Sequence, residues 1–158
     1  MDSEKVPRNG EGKIKYIQKL SLSVLRENTA TRYQEISGPE DVYKLPFVQE
    51  LAFLDRESFI CIHLNTKHRA ISYEVVSIGS LNSSVVHPRE IFKGAILANA
   101  AAVILCHNHP SGDPTPSVED VVVTGRIRDA GKIVGIEVLD HIVVGEKSFA
   151  SLKEQEWM

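Results

Sequence analysis

The chain has 158 residues, 42% apolar and 25% charged, which is one globular domain's worth and excludes bulk disorder and fibrous classes. Against 21 acidic residues stand 18 basic ones, and the resulting −3 argues against a protein that binds nucleic acid by charge alone. Its two cysteines, Cys61 and Cys106, lie in apolar runs; the count excludes a disulfide scaffold and a four-cysteine zinc site and makes a reducing compartment the default. No apolar stretch approaches the length that spans a membrane, so no membrane partner is expected and the expected location is cytoplasmic.

Residues 1–13 are charged and carry Pro7, Gly10 and Gly12, which reads as a disordered leader. Residues 14–36 form an N-terminal strand region, where Leu20, Leu22 and Val24 alternate with Ser21, Ser23 and Leu25. The domain proper is expected over residues 37–152, followed by a tail at 153–158. Ser37-Gly38-Pro39-Glu40 has the form of a capping box. The helix it opens should turn Val42, Leu45 and Val48 inward, with Pro46 kinking or splitting it.

Phe59 to Leu64 predicts a strand, with Ile60, Ile62 and Leu64 on one face and Phe59, Cys61 and His63 on the other. Asn65 to Arg69 is a polar turn, and Ala70 to Ile78 returns as the second strand of a hairpin. A further short strand is expected over Gly79 to Asn82. A helix starts at His87-Pro88-Arg89-Glu90, with Ile91, Phe92, Ala95, Ile96 and Asn99 at helical spacing. Ala101 to Cys106 suits a central strand buried on both faces of a parallel or mixed sheet. A polar loop from His107 to Pro116 follows, then a helix from Ser117 to about Ala130 stopped by Gly131. Val138 to Val144 is a last strand, with Gly145-Glu146-Lys147 as a hairpin turn. The predicted fold is α/β, a mixed β-sheet flanked by helices.

Two histidines separated by one residue, His107 and His109, follow the buried strand. Neutral imidazoles are good zinc ligands, and catalytic zinc usually has three protein ligands and one open position. A carboxylate should complete the set. Asp120, one turn into the next helix, is favoured over Asp113, which sits in a Gly-Asp-Pro context typical of turns. Ser117 caps that helix, where its hydroxyl could also donate to an oxyanion. A metal-bound water needs a proton acceptor, and spacing does not choose among Glu50, Glu57, Glu74 and Glu90.

His107-x-His109-Pro110, six residues, Ser117, two residues, Asp120 resembles the signature of the JAMM/MPN+ metalloproteases. More narrowly, Leu64-Asn65-Thr66-Lys67, Gly79 to Ser84, Val86-His87-Pro88-Arg89-Glu90, the stretch from His107 to Ser117, and Leu139-Asp140-His141 resemble the RadC family, historically labelled a DNA repair protein. The resemblance covers about Ser37 to Leu152. It implies a JAMM/MPN fold akin to that of the cytidine deaminases, and a Zn2+ held by His107, His109 and Asp120. It also implies a catalytic pair, Glu57 as general base and Ser117 as oxyanion donor, acting on a peptide or isopeptide substrate. Glu57 matches the glutamate that the family places just before the strand opening the central hairpin. Longer relatives carry a helix-hairpin-helix DNA-binding region first. Only 36 residues precede Ser37, so that region is expected to be lacking and the link to nucleic acid weakened. A homodimer is compatible with this reading.

The rival reading is a non-enzymatic DNA-repair or partner-binding module that retains a zinc site. Deamination is disfavoured, because that chemistry uses a C-x-x-C pair that this chain lacks. His63 reads as a surface or hydrogen-bonded strand histidine, and His68 and His87 as turn and helix-start residues. Asp140 and His141 read as a structural pair more than as a group orienting a ligand. Cys106 reads as core, and Arg89 and Glu90 as an exposed pair.

Overall fold

The computed structural model describes residues 35–79 and 86–158. The expected leader, the strand at Leu20 to Leu25, and most of the segment after Gly79 lie outside the described residues.

Pro46 splits the first helical segment, as its missing N–H and fixed φ require. The result is α1 (Pro39–Tyr43), α2 (Pro46–Gln49) and a 3-10 turn (Glu50–Phe53). Val42, Leu45 and Val48 are all buried. The expected Ser37 capping box does not form. Pro39 occupies the first helical position, so Gly38 becomes the N-cap, and the Ser37 backbone N–H instead donates to Asp41 Oδ2 at 3.0 Å.

β1 (Ser58–Leu64) and β2 (Ala70–Ile78) form the expected antiparallel hairpin. Its turn is organised by Asn65, whose Oδ1 accepts from the N–H groups of Lys67 and Arg69. The strand expected to start at Gly79 does not include that residue: β2 ends at Ile78, and Gly79 has φ 118°. α3 (Pro88–Leu97) buries Ile91, Phe92 and Ala95. Ile96 faces outward, and Asn99 lies beyond the helix at φ 52°.

β3 (Ala102–Asn108) runs two residues past the expected end, through His107 and Asn108. α4 (Val118–Val134) also outlasts its expected stop. Gly131 lies inside it, where a Cβ would come within 2.5 Å of the Ile136 carbonyl and 3.1 Å of the Phe92 ring. Its role is therefore close packing, and the left-handed stop is Gly135, at φ 79°. β4 (Glu137–Val144) and the short β5 (Phe149–Ser151) complete the sheet.

The five strands lie in the order β2-β1-β3-β4-β5, mixed as predicted: β3 and β4 are parallel and the other pairs antiparallel. Apolar residues of both strand faces are buried. Ile60, Ile62, Leu64, Ile104 and Cys106 pack with the α1 and α2 side, and Phe59, Cys61, Val103 and Leu105 with Ile91, Phe92, Val123 and Ile127 of α3 and α4. Each such large side chain contributes about 1.5–3 kcal/mol when taken from water. Helices thus cover both faces, and the loop from β3 into α4 lies at the carboxyl end of β3, where open α/β sheets place their sites.

Candidate metal centre

The strand extension explains how His107 and His109 converge. Side chains two apart on a strand share a face, so a His-x-His pair at a strand end aims both rings the same way. His107 is fully buried and flanked by the Phe59 ring, stacked at 5.9 Å between centroids. His109 is half-buried and tied to β4 by its own N–H, which donates to the Val144 carbonyl at 2.9 Å. Its Nδ1–H donates to the Asp113 carbonyl at 2.8 Å, which leaves Nε2 facing Asp120 Oδ2.

Asp120 comes from the first turn of α4. Ser117 is the N-cap in a reciprocal box: its Oγ accepts from the Asp120 N–H at 3.1 Å, and Asp120 Oδ2 accepts from the Ser117 N–H at 2.7 Å. The Ser117 hydroxyl donates to the same Oδ2 at 2.7 Å. Asp120 Oδ1 lies 3.2 Å from His107 Nε2, Oδ2 lies 3.4 Å from His109 Nε2, and the two imidazole Nε2 atoms are 3.0 Å apart. One ligand atom from each of these residues falls within 4.8 Å of the others.

The electrostatics match. Burial pushes the Asp120 carboxyl up, but hydrogen bonds from His107, His109 and Ser117 outweigh it and hold the group well below the ordinary carboxylate range. The hydrogen bond to Asp120 raises the pKa of His109 against the opposing effect of burial, and the charge of Glu57 adds to the rise. A carboxylate and two imidazoles converging on one point must share either protons, as in these hydrogen bonds, or a cation. Two nitrogens and an oxygen suit zinc, with a further position left for water.

Glu57 immediately precedes β1, half-buried, and its charge is felt at His109. Its segment is fixed by Asn108, which the sequence reading left without a role. Asn108 Oδ1 accepts from the Ser58 N–H at 2.7 Å, its Nδ2 donates to the Arg56 carbonyl at 3.0 Å, and the Glu57 carbonyl accepts from Gly79 N–H at 2.8 Å. Asn108 alternates with the two histidines, and that spacing alone points it away from them. Glu74 and Glu90 lie elsewhere, on β2 and α3, and Glu50 lies in the 3-10 turn.

Asp113 is the turn former expected: its Oδ1 accepts from the Thr115 N–H and hydroxyl. Asp140 and His141 do not act as one pair. Asp140 accepts from the Ser151 hydroxyl and from the N–H groups of His141 and Lys153, which fixes β5 and the chain after it. The His141 imidazole turns the other way, with Nε2 2.8 Å from His107 Nδ1 and Nδ1 2.6 Å from Thr124 Oγ1. Thr124 was also missed. It lies four residues after Asp120, on the same helix face, and that spacing was the available signal. Cys106 is fully buried in the apolar cluster on the other side of the sheet, and burial holds its thiol well above the usual range.

Fold and triad together define an α/β domain with a His–His–Asp constellation that could hold a metal at the carboxyl end of its central strand. The chain belongs to the RadC-like JAB domain family, which matches residues 36–157. It is 47% identical over 153 residues to a UPF0758 protein of Bacillus velezensis, an alignment covering 94% of this chain and 66% of that protein. It is 51% identical over 150 residues to a UPF0758 protein of Desulforamulus reducens, covering 92% of this chain and 66% of the relative. With a UPF0758 protein of Methanosarcina mazei the identity is 46% over 151 residues, covering 93% of this chain and 66% of the relative. The chain thus spans just under two thirds of the length of these relatives. Among the described residues, no helix is long and apolar enough to cross a membrane.

Proposed function

We propose that this domain is a zinc-dependent hydrolase that cleaves an amide bond, in a peptide or an isopeptide link. The observation that carries the reading is the convergence of His107, His109 and Asp120 within 4.8 Å, with the charge of Glu57 felt at His109. A zinc ion held by these three side chains would supply Lewis acidity, making a water acidic near neutral pH and polarising an acyl oxygen. In this reading Glu57 takes the proton from that water. As the C–O bond forms and the C–N bond breaks, Glu57 passes the proton to the leaving amine, general acid–base work contributing roughly 10²–10⁴-fold. Ser117 is the proposed donor to the oxyanion. Its proton rests on Asp120 Oδ2 and must be redirected to act, while the Asp120 N–H keeps Oγ in place. The free, buried thiols Cys61 and Cys106 suit the cytoplasmic location that the reading includes.

The test separates metal from turnover. Glu57→Gln should bind zinc stoichiometrically and lose peptidase activity against a peptide library. The double variant His107→Ala, His109→Ala should lose the metal, and retention of zinc there would overturn the ligand assignment. DNA binding with a steep salt dependence, untouched by chelation and unaccompanied by hydrolysis, would favour the non-enzymatic module instead.

A further inference from the structure

We propose that Thr124 and His141 are positioning residues that fix the tautomer of His107, through a hydrogen-bond circuit that runs from His107 Nδ1 to the backbone carbonyl of Asp120. The inference rests on the metal-site reading above and deepens it.

The direction of each proton follows from the contacts. Thr124 Oγ1 lies 2.6 Å from the Asp120 carbonyl, which carries no hydrogen, so the single hydroxyl proton must lie in that contact. The hydroxyl then has only lone pairs to offer His141 Nδ1, 2.6 Å away, and that nitrogen must be the N–H partner. His141 is fully buried, and a second proton on it would create a cation in the core beside another imidazole. Its Nε2 is therefore an acceptor. The proton in the 2.8 Å contact between the two histidines then belongs to His107 Nδ1. His107 is left with Nε2 outside the chain of donors, facing Asp120 Oδ1 at 3.2 Å, and that is the atom a metal would take.

All four members are buried: His107, Thr124 and His141 show no exposure, and Asp120 only 4%. The Phe59 ring walls both histidines, stacked on His107 and edge-on to His141. Water cannot substitute for a lost member without opening the core. A ligand histidine whose second nitrogen is held in this way keeps one tautomer and one ring orientation, and losing such a partner typically lowers metal affinity by about 10–100-fold. The circuit also ties both ligands to α4, because Thr124 is held by the backbone of Asp120 itself.

The experiment uses the full chain, metal-free and zinc-loaded. Long-range proton–nitrogen spectra of the metal-free protein in mildly alkaline buffer should show a proton on Nδ1 of both His107 and His141. A proton on His141 Nε2 with a bare His107 Nδ1 overturns the proposal. Zinc affinity, read by competition with a chromophoric chelator, should fall about 10–100-fold in Thr124→Val and return in Thr124→Ser, which restores the hydroxyl. Wild-type affinity in a folded Thr124→Val, or failure of Thr124→Ser to recover it, also overturns the proposal. Should the wild-type chain take up no zinc, the metal reading fails, while the nitrogen spectra still decide the circuit.

Discussion

At the carboxyl end of β3, His107 and His141 each have a neighbour at both ring nitrogens. On the same face of the sheet, buried His63 of β1 has one for Nδ1 alone, the Ser72 hydroxyl at 2.8 Å. Its Nε2 faces Glu74 Oε1 across 3.7 Å, too far for a hydrogen bond, and neither atom has a hydrogen-bond partner among the described residues. Glu74 is wedged over Gly94 of α3, where any side chain would run into its carboxylate. Burial pushes the Glu74 carboxyl up and the His63 imidazole down to about 4. Both regions place a histidine and a carboxylate against a helix. Only one is wired throughout, and a buried polar group contributes order when its partners are complete and costs stability when they are not. Completeness of the wiring, more than burial or charge, sets the triad region apart from the surroundings of His63.

The sharpest way to break the contrast is Asp120→Ala. It removes the shared carboxylate and one half of the capping box, and zinc affinity should fall by more than about 100-fold, as for loss of any direct ligand. Isothermal titration against the wild type checks it, and unchanged affinity would return the triad to a structural role. Gly131→Ala should cost about 1–3 kcal/mol by overpacking α4 against the turn into β4, measured by urea unfolding without metal. Ser117→Ala removes the N-cap and should cost about 1 kcal/mol in the same assay.

The smallest effect tests the unwired side. His63→Leu should leave stability within about 1 kcal/mol of wild type or raise it, because it removes an unpaired buried group. It should also flatten the pH dependence. With a folded pKa of about 4 against an ordinary 6.5, His63 stays neutral in the fold while the unfolded chain takes up a proton. The His63 contribution to stability should therefore fall from pH 6.5 towards 4 and level off below it, and that part of the wild-type slope should disappear in His63→Leu. An unchanged slope would place the titration elsewhere.

Much of the architecture was legible because it follows from periodicity. Alternation over Phe59 to Leu64 assigned both faces of β1, the apolar run before His107 marked the central strand, and Pro46 marked a break. Spacing also brought His107, His109 and Asp120 together. What escaped depends on partners distant in sequence. His107 and Asn108 read as loop because they are polar, yet their hydrogen bonds reach His141 and Arg56, and these let the strand continue. Gly131 read as a stop because a glycine near a helix end usually is one; here it makes room for Phe92 and the Ile136 carbonyl. Ser37 and Glu40 had the capping pattern, but Pro39 moved the cap by one residue.

Gly112 and Gly145 meet backbone to backbone, and a Cβ on Gly145 would fall within 2.4 Å of the Gly112 oxygen. The loop that carries His109 and the β4–β5 hairpin therefore share a single seam. Lengthening the hairpin, or adding one methyl at its first residue, would be felt at an imidazole far from it in sequence, so the two loops must vary together or not at all.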